Sequence, residues 1–138
     1  MNKENWKMRI YLAGHSKDLD YRKFVKDYYS DKIDIVDPMS ITWDDVDKNI
    51  ENNIQDIWIV RRDKKLIDGC DLVVAKIDYL KKREISIGTF FEIAYAFEKG
   101  IPVYVISCDE ILENVWLKFY YKNGFNTIKE CFNFIIGV

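Results

Sequence analysis

The chain has 138 residues, 49% of them hydrophobic and 32% charged, with a formal net charge of −2 at pH 7. This balance suits one soluble globular domain with a real core and lacks the basic footprint of a nucleic-acid binder. It holds no run of about 18 apolar residues to cross a membrane, and the polar stretch Met1 to Met8 does not read as a secretory signal.

The expectation is therefore one domain over residues 1–138, in the cytoplasm, with no membrane or nucleic-acid partner. Cys70, Cys108 and Cys131 are widely spaced in apolar contexts, so they read as small core residues of a reducing compartment. The single histidine, His15, has no partner at ligand spacing, which argues against a metal site.

Met8 to Ala13 reads as a short buried strand ended by Gly14. Ser16 or Asp18 then caps a helix to about Tyr29, with Tyr21, Phe24, Val25 and Tyr28 on one face. Ile33 to Val36 is a second strand, broken by Asp37-Pro38, and a long acidic loop through Trp43 follows. Helical spacing runs from near Glu51 to Ile67, as one helix or two with a break near Arg61. Leu72 to Ala75 is the most β-like run. A basic loop with Lys81, Lys82 and Arg83 leads into a helix beginning near Ser86 and ending at Gly100, with Pro102 beyond it. Val103 to Ile106 is a fourth strand, Glu110 to Tyr121 a helix, Phe125 to Thr127 a short edge strand and Ile128 to Ile136 a last helix.

Strands alternating with crossover-length helices predict an α/β fold. The expected form is a three-layer, flavodoxin-like or Rossmann-like domain with a four- to five-stranded parallel sheet. Ligands of such sheets bind outside the carboxyl ends of the strands. The loops to search are then 14–17, 37–50, 77–88 and 107–115.

One of those loops feeds the most informative helix. From Phe90 to Phe97 every residue is apolar or aromatic except Glu92. A helix apolar on nearly all sides is normally buried, and a carboxylate there costs several kcal/mol unless it is paired or has a role. Gly88 and Ala96 share the Glu92 face and leave a cleft beside the acid. Glu92 is thus a candidate catalytic group, set against a satisfied core acid or a glutamate facing water.

Tyr11, Gly14, His15, Ser16 and Asp63 can converge on the same region. Each has a plainer reading: Tyr11 as core, His15 and Ser16 as turn and cap residues, Asp63 as a solvated acid between Arg62 and Lys64. Trp43 reads equally as a packing residue. Neither a GxGxxG fingerprint nor a GxxxxGK[ST] loop is present, which argues against dinucleotide or ATP binding.

Taken together, Ile10-Tyr11-Leu12-Ala13-Gly14, Asp63 leading to Asp71-Leu72-Val73-Val74-Ala75, the Ser86-x-Gly88-Thr89-x-x-Glu92 segment and Gly100-x-Pro102 resemble the nucleoside 2-deoxyribosyltransferase family over residues 9 to 136. The resemblance implies that Glu92 attacks the anomeric carbon of a nucleoside to form a glycosyl ester, which a second base or water resolves. It implies that Tyr11 orients Glu92 and that Asp63 protonates the leaving base or positions the sugar. A helix N-terminus and Tyr11 are expected to favour the ionised carboxylate.

Gly14, His15, Ser16, Asp37, Trp43, Ser86 and Gly88 are the implied substrate contacts, with Asn114 and Trp116 supplied by a neighbouring subunit of a homodimer or higher homo-oligomer. Several transferases have an aspartate where Ser86 stands, and the turn after the first strand lacks the extra glycines and arginine of phosphate-binding relatives. The implied partners are a nucleoside or nucleotide and a free nucleobase, and no metal or organic cofactor is implied. Two alternatives remain: a nucleoside 5′-monophosphate N-glycosidase, and a non-catalytic nucleotide-binding or sensing domain on the same fold.

Overall fold

The computed structural model describes residues 6–41, 52–78 and 86–138. Its sheet is built from β1 (Arg9–Gly14), β2 (Asp34–Val36), β3 (Leu72–Lys76), β4 (Val103–Ile106) and β5 (Asn123–Phe125). All pairings are parallel, in the order β2-β1-β3-β4-β5. The helices are α1 (Leu19–Tyr29), α2 (Asn52–Asp68), α3 (Ile87–Glu98), α4 (Asp109–Leu112), α5 (Val115–Tyr120) and α6 (Ile128–Ile136). The expected α/β class with a five-stranded parallel sheet is therefore what the chain adopts.

Alternation along the strands divides the core in two, because successive side chains of a strand point to opposite faces. Ile10 and Leu12 of β1 face a layer containing Tyr21 and Val25 of α1 and Phe132 of α6. Tyr11 and Ala13 face the other way, with Ile67 of α2, Ile93 and Ala96 of α3 and Leu117 of α5. β3 is buried on both faces from Leu72 to Ala75, as its continuous apolar run demands. This face assignment turns Tyr11 toward α2 and α3.

The chain lays β2 on one side of β1 and then crosses back to place β3 on the other. A crevice opens at such a switch point, outside the carboxyl ends of β1 and β3. Gly14 closes β1 there. A Cβ on it would lie 3.3 Å from the Tyr21 ring and 3.4 Å from the Lys76 carbonyl, so any side chain there would press the Tyr21 ring by a few tenths of an ångström.

Several expected boundaries move. The helix expected over Glu110 to Tyr121 is two, because the Asn114 side chain accepts from the backbone N–H groups of Trp116 and Leu117 and starts a new helix. The edge strand lies at Asn123–Phe125, two residues before the expected start. Asp18, not Ser16, caps α1, and the buried stripe is Tyr21, Arg22, Val25 and Tyr29, with Tyr28 facing solvent. α2 is one continuous helix through Arg61.

The largest departure is in α3. Only Thr89, Ile93 and Ala96 are buried, while Ile87, Phe90, Phe91 and Phe97 remain exposed. The apolar composition covers an outward face as well as a core face. No helix among the described residues is long and apolar enough to cross a membrane.

Candidate active site

Three elements bring three side chains together. β1 turns Tyr11 inward, and its hydroxyl donates a hydrogen bond to Glu92 Oε2 from α3. The same hydroxyl acts on Asp63 of α2, where it favours the ionised carboxylate. Glu92 is half-buried and Tyr11 fully so. Helix side chains lean toward the helix N-terminus, so Glu92 leans over the turn that holds Gly88. A Cβ added at Gly88 would meet nothing within 4 Å, which leaves open space on that face. Ala96, expected to line the same cleft, is instead wholly buried in the core.

The electrostatics follow from this arrangement. Burial pushes the Glu92 carboxyl up to about 7, the neighbouring Asp63 adds to the rise, and the Tyr11 hydrogen bond and the Arg22 and Arg62 charges oppose it. Burial also raises Asp63, against the pull of Arg62, Tyr11 and Arg22. Burial and the charges of Glu92 and Asp63 hold the Tyr11 phenol protonated well above its ordinary range. Tyr11 is therefore a permanent donor between two acids, of which Glu92 can hold or release a proton near neutrality. The expected help from a helix N-terminus is absent, because α3 begins at Ile87 and Glu92 lies past its first turn, beyond the reach of the terminal dipole.

This site has a stability cost. Glu92 titrates at about 7 in the folded chain against an ordinary 4.5, so the native state holds its proton longer than the unfolded one. Its contribution to stability is fully present below pH 4.5 and is lost as pH rises through about 7. Glu92→Gln is expected to stabilise the protein by about 2 kcal/mol at pH 8 and by little near pH 4. Thermal unfolding across that range measures it, and a parent protein more stable than the variant at pH 8 contradicts this assignment.

Beside the two acids and the phenol lies Arg62, which the sequence did not single out. Its Nε and Nη2 reach Asp63 Oδ1 at 2.8 and 2.7 Å, its Nη1 reaches the Ile41 carbonyl at 3.3 Å, and its guanidinium lies 5.0 Å from the Trp58 ring centre. Adjacent helix positions do not normally face each other, so sequence spacing carried no signal for this pair.

The remaining expected contacts divide. His15 is half-buried and its Nδ1 accepts from the Lys17 N–H at 3.1 Å, while Ser16 is exposed in the same turn. Ser86 caps α3, its Oγ accepting from Thr89. Asp37 is not an open base contact: it is buried, with Oδ1 on Arg22 at 2.8 Å and Oδ2 on Lys26 at 2.6 Å. Asn114 is engaged in capping α5, and Trp116 projects to solvent. Trp43, the acidic loop around it and the basic loop Lys81 to Arg83 lie outside the described residues.

The chain is similar to known proteins in sequence profile and in fold. The sequence profile described as nucleoside 2-deoxyribosyltransferase matches residues 10–125. No curated protein sequence matches significantly. Among solved structures, the chain is similar to the 2-deoxyribosyltransferase of Bacillus psychrosaccharolyticus, at 16% identity over 91% of this chain and 90% of that one, with a TM-score of 0.71. It is similar to the 2-deoxyribosyltransferase of Leishmania mexicana, at 17% identity over 94% and 97%, with a TM-score of 0.66. It is also similar to the CMP N-glycosidase BcmB of Clostridium botulinum, at 18% identity over 92% and 96%, with a TM-score of 0.57. The profile covers most of the chain, and the chain belongs to the nucleoside 2-deoxyribosyltransferase family, a family of enzymes of the nucleoside N-glycosidic bond.

Proposed function

We propose that this protein cleaves the N-glycosidic bond of 2′-deoxynucleosides and passes the deoxyribosyl group to another nucleobase. The observation that carries this reading is the Tyr11–Glu92 hydrogen bond, made beside Asp63 and next to the open space over Gly88. In the first step ionised Glu92 attacks the anomeric carbon. The bond to the base breaks, its electron pair leaves with the base, and Asp63 steadies the sugar or, when it carries a proton, passes it to the base. An incoming base, or water, then attacks the same carbon and releases the Glu92 carboxylate. Two neighbouring carboxyls, each raised by burial, are the kind of pair that can divide the roles of nucleophile and proton donor.

The site is completed by a second copy of the chain, in a homodimer of the cytoplasm. Support comes from the outward apolar residues Ile87 and Phe91 of α3 and Val115, Trp116 and Phe119 of α5, with Phe91 72% and Val115 82% exposed. Large exposed apolar patches are rare on monomers. In this arrangement Trp116 reaches the partner's substrate, while Asn114 sets the start of the helix that carries it. Phe91→Glu with Val115→Glu is expected to convert the sedimenting dimer to a monomer and to lower turnover together. A parent protein that sediments as an active monomer contradicts it.

The test of the reaction is a chromatographic product assay. Deoxynucleosides and their 5′-monophosphates are incubated with and without a free second base, beside Glu92→Ala. A new nucleoside that requires both the acceptor base and Glu92 supports the transferase. Free base released from monophosphates alone assigns the hydrolase, an activity named for the similar Clostridium botulinum protein. Ligand binding without cleavage would leave the binding-domain reading.

A further inference from the structure

Arg22 is the most deeply buried cation of the described residues, at 3% exposure. It lies on the stripe of α1 that faces the sheet, four residues before Lys26 and seven before Tyr29. Its Nη1 donates to the Leu12 carbonyl at 3.1 Å and to Asp37 Oδ1 at 2.8 Å, and its Nη2 donates to the Gly14 carbonyl at 3.0 Å. Its Nε is buried without an acceptor. One side chain thus ties the carboxyl end of β1, which carries Tyr11, to the residue that follows β2. A buried ion pair of this kind is a poor way to gain stability, because desolvation offsets most of the attraction. Its position, at the switch-point end of the sheet, suggests another use.

We propose that Arg22 is a positioning residue of the active site: paired with Asp37, it fixes the end of β1 behind Tyr11 and supplies a permanent positive charge to the Glu92–Asp63 carboxyl pair. That charge favours the ionised form of both acids. Among the described residues, the other charged groups that act on Glu92 are Asp63 and Arg62 from α2, and the neutral Tyr11 phenol from β1 donates to it. Lys76 at the end of β3 is turned to Asp18 and Asp78. Asp37, with Lys26 on its second oxygen, moderates Arg22. Removing Arg22 and removing the charge of Asp37 therefore push Glu92 in opposite directions. A purely structural tie predicts the same direction for both, since either change breaks it.

The inference rests on Glu92 as the working acid, but its test needs no turnover. Protein labelled with carbon-13 at the glutamate side-chain carboxyl is titrated by NMR, with Glu92→Gln assigning the signal. Arg22→Met is expected to raise the Glu92 midpoint by about one pH unit. Asp37→Asn is expected to lower it, and Arg22→Lys to return it toward the parent. If Arg22→Met does not fold, Arg22→Lys and Asp37→Asn carry the test, because a midpoint that Asp37→Asn leaves in place or raises overturns the proposal. So does an unchanged midpoint in folded Arg22→Met, or a shift of the same sign in both variants. Failure of the nucleophile assignment would appear elsewhere, as deoxyribosyl transfer that survives Glu92→Ala, and would leave these titrations as they are.

Discussion

Glu92→Gln is expected to lower deoxyribosyl transfer by about 10,000-fold or more, since in the proposed mechanism it removes the group that forms the covalent bond. The amide keeps the size of the carboxyl and can still accept from Tyr11, so the loss falls on chemistry and not on the fold. Substrate binding is expected to survive in the variant, and so is its thermal stability at neutral pH, where the buried charge is no longer held. Single-turnover assays beside a ligand titration separate the two effects. A residual rate within about tenfold of the parent would mean that Glu92 is not the nucleophile.

Tyr11→Phe gives a different signature. With Glu92 titrating at about 7, kcat/KM is expected to rise with pH through that value as the carboxyl ionises. Tyr11 stabilises the ionised form by donating to it, in competition with the burial that opposes ionisation. Removing the hydroxyl leaves burial unopposed at that position, so the acidic limb should move upward by about one unit. The variant then loses most at pH 6 and recovers part of the deficit at pH 9. A uniform loss with an unmoved limb would assign Tyr11 to packing alone.

Much of this was legible in the sequence because the strands are short, apolar and widely separated. The runs Leu72 to Ala75 and Val103 to Ile106 can only be buried strands, and the connections between them are long enough to be helical crossovers. Glu92 stood out because it interrupts an apolar helix, whereas Tyr11, inside an apolar strand, read as core until the family resemblance gave it a role. The break between α4 and α5 was hidden because helical composition continues across it; a single Asn114 cap decides it. Composition also cannot separate a helix face that packs inside the chain from one presented outward, which is why Phe91 looked like core.

Arg22 illustrates a third limit. Its helical spacing to Val25, Lys26 and Tyr29 was visible, but charged residues are assumed to lie outward, and the buried acid that permits the exception is fifteen residues away. Asp37 shows the same limit, since its partners Arg22 and Lys26 lie on a different element. An acid just after a strand looks like a ligand contact until its partner is located on the facing helix.

The most direct measurement is the mass of the Glu92 peptide after brief reaction with a deoxynucleoside and an acid quench. The mechanism predicts a deoxyribosyl adduct on the peptide containing Glu92 that disappears when acceptor base is added before the quench, and that Glu92→Gln never forms. Transfer that proceeds at the parent rate with no adduct, or with the adduct on another residue, would contradict Glu92 as the nucleophile.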